Sequence, residues 1–518
     1  MKKLVLIAVL AVVNCTMLMA QDYEMVPNDP MKSRIYTLDN GLKIYLTDNK
    51  DEPRVQTYIA VRVGGKNDPA ETTGLSHYLE HLMFKGTKQF GTSDYSKEKP
   101  YLDKIEKLYE VYRKTKDAAK RKAIYHEIDS LSYLSSKHAI PNEYDKLMAS
   151  IGASGTNAYT SNDVTCYTED IPANEVENWA KIQSDRFKNM VVRGFHTELE
   201  AVYEEFNISL TQDMRKVWEA LGQALFPNHP YGQQTVIGTQ EHLKNPSIVN
   251  IKKHFNDWYR PNNVAICMSG DLDFDKTIET IKKYFGDWKA NPNIPSQHAR
   301  LQNIKLQKLT EPVVKNVYGR ETDMVMIGWA LPGEKDKDFD YLEIIERVLQ
   351  NGKAGLIDVD ITQAQKMVEA QSGINGMSDY SEFLELGVPK EGQTLEEVRN
   401  LLLAEVEKLK KGEFSESLLE SIINNIKLSY MRSLESNSAR ADMFVQSFVN
   451  QTEWKDEVEK INRSTALDTI KREIRTTKEK YENTYLEEFE KLVLATAADK
   501  LNEEYDYIWK KYKKGRLI

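Results

Sequence analysis

Cysteine is nearly absent, with 3 in 518 residues, and one of these, Cys15, lies close to the N-terminus. The remaining two, Cys166 and Cys267, cannot build a disulfide framework. Their surroundings, DVTCYT and AICMSG, are strand-like, where a buried thiol is the default. Positive charge is not in excess either. Lys+Arg number 70 against 79 Asp+Glu, a formal net charge of −9, which gives no electrostatic footprint for nucleic acid. Beyond the N-terminus no apolar run approaches the roughly 20 residues needed to span a bilayer. At the N-terminus, Lys2 and Lys3 precede the apolar Leu4–Val13, and Ala20-Gln21 follows. This reads as an export signal over residues 1–20. Val12-Val13-Asn14 ahead of Cys15 lacks the small residue that lipidation needs. The expectation is an exported chain with no membrane span after signal removal.

Histidine is scarce too, with 9 in the chain, yet two of them fall in one short stretch, Gly74–Thr87 (GLSHYLEHLMFKGT). His77, Glu80 and His81 read H-x-x-E-H. On a helix, residues four apart lie one turn apart on the same face, so the two imidazoles can hold one Zn²⁺ with Glu80 beside them. A zinc-bound water ionises near neutral pH, and an adjacent carboxylate can take its proton as it attacks a carbonyl. Leu75, Leu79, Leu82 and Met83 supply an apolar face; Thr72 and Thr73 are candidate caps and Gly86 a stop.

The composition, 41% hydrophobic and 29% charged, is that of a globular protein long enough for two or more domains. In chain order, 35–48 reads as a hairpin and 55–63 as a strand leading into the motif helix. Residues 97–142 are charged, with Ile105, Leu108, Val111, Ile124, Ile128 and Leu131 at helical spacing and Pro100 and Pro141 at the borders. We expect an inserted helical hairpin zipped by those six side chains and touching its surroundings through surplus tyrosines. Strand character returns over 152–167; helices are expected over 174–190 and from His196. In the latter, Glu198 and Glu205 are two turns apart and share a face. Two histidines leave a zinc site one protein ligand short, and a carboxylate from a second helix is a usual third. His229-Pro230-Tyr231-Gly232 reads as a structural or substrate-side loop. A strand over 263–271 and a helix over 275–285 precede Asn291-Pro292-Asn293-Ile294-Pro295, the best domain boundary. A strand (323–331), turn and helix (340–349) then partly repeat the first pattern, aligning Glu346 with Glu80. After Ile474 the chain is charged and helical, with no clear strand.

Together these stretches resemble the pitrilysin (insulysin) family of zinc metallopeptidases, the inverzincins. The resemblance runs over Gly74–Thr87, Gly152–Tyr167, Glu198–Glu205, His229–Gly232 and Tyr259–Asp271, in the family's order. It implies that His77, His81 and Glu205 bind Zn²⁺, that Glu80 is the base, and that Glu198 is a supporting carboxylate. Asn157, Ala158 and Tyr159 would form the edge strand on which substrate docks. The implied fold is α+β, with two homologous domains, each a mainly antiparallel sheet packed with helices, forming one half of a clamshell. The expected organisation is a signal peptide at 1–20, a catalytic zinc-binding domain at 30–290 with the insertion 97–142, and a non-catalytic homologous domain at 300–500. The implied activity is a periplasmic zinc endopeptidase cleaving unstructured peptides, with Glu80 activating a zinc-bound water. A second half, another copy or an inactive homologous subunit, would complete it. The rival expectation is a non-catalytic scaffold or substrate-binding half of a peptidase complex.

Overall fold

The structure, a computed structural model, describes residues 23–463 except 308, 310, 311, 321, 337 and 338. The expected signal over 1–20 and the charged stretch after Ile474 lie outside the described residues. The larger sheet is built from β1 (Arg34–Thr37), β2 (Lys43–Asp48), β3 (Arg54–Val61), β4 (Ser154–Thr160), β5 (Thr165–Pro172) and β6 (Val264–Gly270). Their order is β1-β2-β6-β3-β5-β4. All neighbours are antiparallel except β2 and β6, which run parallel.

β6 is buried along its whole length, because both faces of the sheet are covered. Ile44, Ile59, Tyr167 and Ile266 enter one core, while Tyr45, Tyr58, Cys166 and Cys267 enter another. Period-two alternation thus divides one apolar run between two cores. Both cysteines are free and buried.

The first core is closed by α1 (Leu75–Leu82), α2 (Tyr95–Lys114), α3 (Ala118–Ser136), α4 (Glu143–Ser150), α5 (Val176–Asn189), α6 (Phe195–Ser209), α7 (Ile248–Trp258) and α8 (Phe274–Phe285). The hairpin expected to be stable within itself is instead docked. Ile105, Tyr109 and Ile128 are buried in the main core, and Tyr109 meets the Phe195 ring edge-on with centroids 4.9 Å apart. Glu98 accepts from Arg193 at 2.6 and 2.8 Å, both side chains buried. Helical periodicity alone could not separate apolar positions that zip two arms from those that dock the pair. Pro100 also lies inside α2 and does not mark its border, because Asp94 already caps the helix by accepting from the Ser96 and Lys97 amides.

The smaller sheet has the order β7-β9-β8, all antiparallel. Its strands are β7 (Val325–Pro332), β8 (Glu369–Asn375) and β9 (Tyr380–Val388). It packs against α9 (Phe339–Leu349), α10 (Leu395–Lys411) and α11 (Glu416–Ser433). Helix α12 (Asn437–Asn450) then crosses back and lays Phe444, Val445 and Phe448 on the second face of the larger sheet. The fold is therefore α+β with mainly antiparallel sheets. Among the described residues no helix is long and apolar enough to cross a membrane.

Candidate metal centre

α1 begins at Gly74, whose φ of 87° is the left-handed conformation that glycine favours. A Cβ there would lie 2.8 Å from the Ile237 carbonyl. The cap is neither Thr72 nor Thr73. Buried Asp68 accepts from the amides of Gly74 (2.7 Å), Leu75 (3.0 Å) and Ser76 (3.0 Å), so one distant carboxylate satisfies three of the orphaned N–H groups of the helix start. Ser76 Oγ also lies 2.9 Å from His254 Nε2 on α7. A 3₁₀ turn, Met83–Lys85, and Gly86 end the segment.

One turn of helix brings the His77 and His81 rings to 4.8 Å between centroids. The carboxylate of Glu205, on α6, lies 3.7 Å from Nε2 of each. Ligand atoms of these three residues all lie within 4.8 Å of one another. Nitrogen and oxygen ligands in a tetrahedral zinc shell are about 3.3 Å apart, so the donor set and its spacing fit that ion. Glu204, the neighbouring alternative, is exposed and accepts from the Asn207 side chain.

His81 Nδ1 lies 3.4 Å from Glu198 Oε2, and Glu198 Oε1 lies 2.5 Å from Lys85 Nζ. Burial disfavours the imidazolium of both histidines. For His77, burial together with the neighbouring His81 pushes the pKa down to about 4, leaving a neutral imidazole with a free lone pair. For His81, the hydrogen bond to Glu198 and the charges of Glu205 and Glu80 outweigh burial and hold it above the ordinary value. His77 Nδ1 is buried and has no hydrogen-bond partner. Glu80 is buried, and burial raises its carboxyl against the opposing hydrogen bond from Thr160 (2.6 Å to Oε2). Burial would raise Glu198 also, but the His81 and Lys85 contacts win and hold it low.

Thr160 ends β4, the outermost strand of the larger sheet. Asn157 and Tyr159 are exposed, whereas Ala158 is half-buried against the main core. The register pairs Asn157, Ala158 and Tyr159 with Thr168, Tyr167 and Cys166 of β5. His229 is buried and turned toward Asp379 of the smaller lobe, 3.9 Å away. The sequence reading assigned no role to Lys85, Thr160 or Asp68. Lys85 had a signal in helical spacing from His81, and Thr160 in its alternation with Ala158 on β4. Asp68 had none beyond its place in a turn.

A lobe with an inverted His-x-x-Glu-His helix beneath its sheet is thus joined to a second α+β lobe. A family model described as "Insulinase (Peptidase family M16)" matches residues 43–100, and one described as "Peptidase M16 inactive domain" matches 248–426. The curated "Zinc protease PqqE" of Helicobacter pylori is 25% identical over 425 residues, which are 81% of this chain and 84% of that protein. A solved protease from Helicobacter pylori has a TM-score of 0.65 at 21% identity, covering 86% of this chain and 96% of that one. The periplasmic protease PqqL of Escherichia coli has a TM-score of 0.60 at 15% identity, covering 88% of this chain and 47% of that one. The chain belongs to the M16 peptidase family, insulinase- and pitrilysin-like, and carries both its N-terminal and its C-terminal domains.

Proposed function

We propose that this chain is a zinc-dependent endopeptidase in which His77, His81 and Glu205 hold the ion. The carrying observation is the convergence of two imidazole nitrogens and one carboxylate beside a buried glutamate. Bound zinc would polarise the scissile carbonyl and acidify water. Glu80 takes the proton of the attacking water and delivers it to the leaving amine. Thr160 orients the Glu80 carboxylate, and Glu198 with Lys85 fixes the His81 ring, as partners of metal-bound histidines generally do. Substrate adds to the free edge of β4 along Asn157, Ala158 and Tyr159 through main-chain hydrogen bonds, which accept many sequences but need an extended peptide.

The proposed catalytic domain spans 30–290, with a proposed non-catalytic domain at 300–500. The matched inactive-domain model begins after all three metal-site residues, so its description does not bear on them. A scaffold that never cleaves has no need of three donors and a base. A second half, a copy of this chain or an inactive homologue, is proposed to enclose the site. This rests on the coverage of the first half of PqqL, 91% of that chain, against 47% of the whole. Export to the periplasm is proposed from the N-terminal signal pattern and the description of PqqL as periplasmic. Metal analysis combined with a quenched-peptide assay, with and without chelator, tests the reading. Zinc-loaded protein that leaves unfolded peptides uncut even when assembled with its second half would establish the scaffold alternative.

A further inference from the structure

His229 and Tyr231 of the His-Pro-Tyr-Gly stretch are buried where the two lobes meet. The Tyr231 hydroxyl donates to Asp163 Oδ1 (2.7 Å) and accepts from the Asp379 amide (3.1 Å). Lys66 Nζ lies 2.6 Å from Asp163 Oδ1 and 2.7 Å from Asp379 Oδ2, with all three side chains under a tenth exposed. Lys335 pairs with the other Asp379 oxygen, so two cations balance two carboxylates. Buried charges persist only when paired in this way. His229 supports the ring, accepting at Nδ1 from the Tyr231 amide.

The four segments of this cluster come from different parts of the fold. Lys66 sits in the 3₁₀ turn Gly65–Asn67 between β3 and α1, and Asp163 in the turn between β4 and β5. Tyr231 follows its histidine in the short helix Pro230–Gln233, and Asp379 belongs to the turn between β8 and β9. Backbone contacts tighten the junction. The Gly65 amide donates to the Ser161 carbonyl (2.9 Å) and the Lys66 amide to the Asn162 carbonyl (3.1 Å). The Ser378 amide donates to Asp163 Oδ2 at 3.2 Å. A Cβ on Gly64 would lie 2.3 Å from the Ser161 carbonyl, so the approach has no room for a side chain. Thr160, three residues before Asp163, holds Glu80.

We propose that Tyr231, Lys66 and Asp379 are positioning residues for Glu80, acting through Asp163 and Thr160, so that the buried junction between the lobes helps to set the geometry of the base. The ladder between β4 and β5 keeps the strand attached to its sheet, and the Gly65 and Lys66 amides hold Ser161 and Asn162 from within the larger lobe. Asp163 is held in turn by Tyr231 and Lys66 from the larger lobe and by the Ser378 amide from the smaller one. Loss of the Tyr231 hydroxyl therefore moves Thr160 relative to Glu80 while leaving the peptide-binding edge in place. The effect falls on kcat and spares KM. This inference rests on the peptidase reading above.

The test uses the full zinc-loaded chain with Tyr231→Phe, Thr160→Val and the double variant, a quenched peptide, and amide hydrogen exchange across residues 161–164. Tyr231→Phe is expected to speed exchange in that turn and to lower kcat about tenfold with KM little changed. In the Thr160→Val background it should cost nothing further, since both act along one path. Asp379→Asn should give the same pattern and serves if Tyr231→Phe does not fold. Unchanged exchange, an unchanged kcat, or losses that multiply in the double variant would overturn the proposal. Zinc-loaded wild type that never cleaves would sink the peptidase reading by itself, and the exchange measurement would then decide the positioning role.

Discussion

The Thr160 hydroxyl donates a 2.6 Å hydrogen bond to Glu80, tying the last residue of the outermost strand to the carboxylate of the metal helix. The proposed substrate strand and the proposed base are thereby linked through one side-chain contact. Removing the hydroxyl by Thr160→Val should leave zinc content unchanged and lower kcat about tenfold, since small misplacements of a reacting group are costly. Steady-state kinetics beside metal analysis measure both quantities. An unaffected kcat would show that Glu80 is held by other contacts.

The roles of donor and base separate by substitution. Glu80→Gln should abolish hydrolysis and retain zinc, whereas His77→Ala, His81→Ala or Glu205→Ala should lose the ion, because a three-ligand site cannot spare one. Glu204→Ala is the control, expected to bind zinc normally. Loss of metal from it but not from Glu205→Ala would move the ligand by one residue.

In the proposed site zinc would join α1 to α6, so its removal should lower thermal stability by mass action. Chelator is expected to reduce Tm by several degrees in the wild type and by nothing in His81→Ala. Scanning fluorimetry with and without chelator shows whether the ion bridges the helices.

The insertion is welded to the core by the buried pair of Glu98 and Arg193. Removing one partner leaves an uncompensated buried charge, so Glu98→Gln or Arg193→Met alone should cost about 3–5 kcal/mol in urea unfolding. Changing both to apolar residues should recover much of that loss. Replacing residues 97–142 with a short linker should prevent folding, since it strips Ile105, Tyr109 and Ile128 from the main core.

Burial pushes Glu346 on α9 up to about 7; Arg347 opposes this, while Glu343 and Asp358 reinforce it. The folded protein therefore binds this proton more tightly than the unfolded chain. Stability should fall as pH rises from the ordinary carboxylate range through about 7, then level off. Glu346→Gln should match the wild type near pH 4 and exceed it near pH 8 by on the order of 2 kcal/mol. Urea midpoints at the two pH values give the difference; a constant offset would mean that Glu346 does not titrate in this window.

Strands β1, β2, β3 and β6 and helices α1, α5, α6 and α8 were legible because each carries its own periodicity and its own turn residues, whereas β4 and β5 read as one stretch over 152–167 although β5 runs on to Pro172. The His77–His81 spacing was legible for the same reason, since one turn of helix is a local fact. The docking of α2 and α3 was not legible. Apolar positions such as Ile105 and Ile128 read alike on any amphipathic helix, and their partners emerge only once α6 and α7 are in place. The cap of α1 escaped for a related reason: Asp68 is six residues from Gly74 and reaches it through the path of the intervening turn.

The sequence by itself determined the candidate pair His77 and His81, the candidate base Glu80 and the α+β alternation, because residue type and short-range spacing specify these. Only the tertiary structure decided that Glu205 faces His77 and His81, that Lys85 supports Glu198, and that Thr160 holds Glu80. Contacts between residues far apart in the chain depend on how helices and sheets pack, and no local pattern encodes that packing.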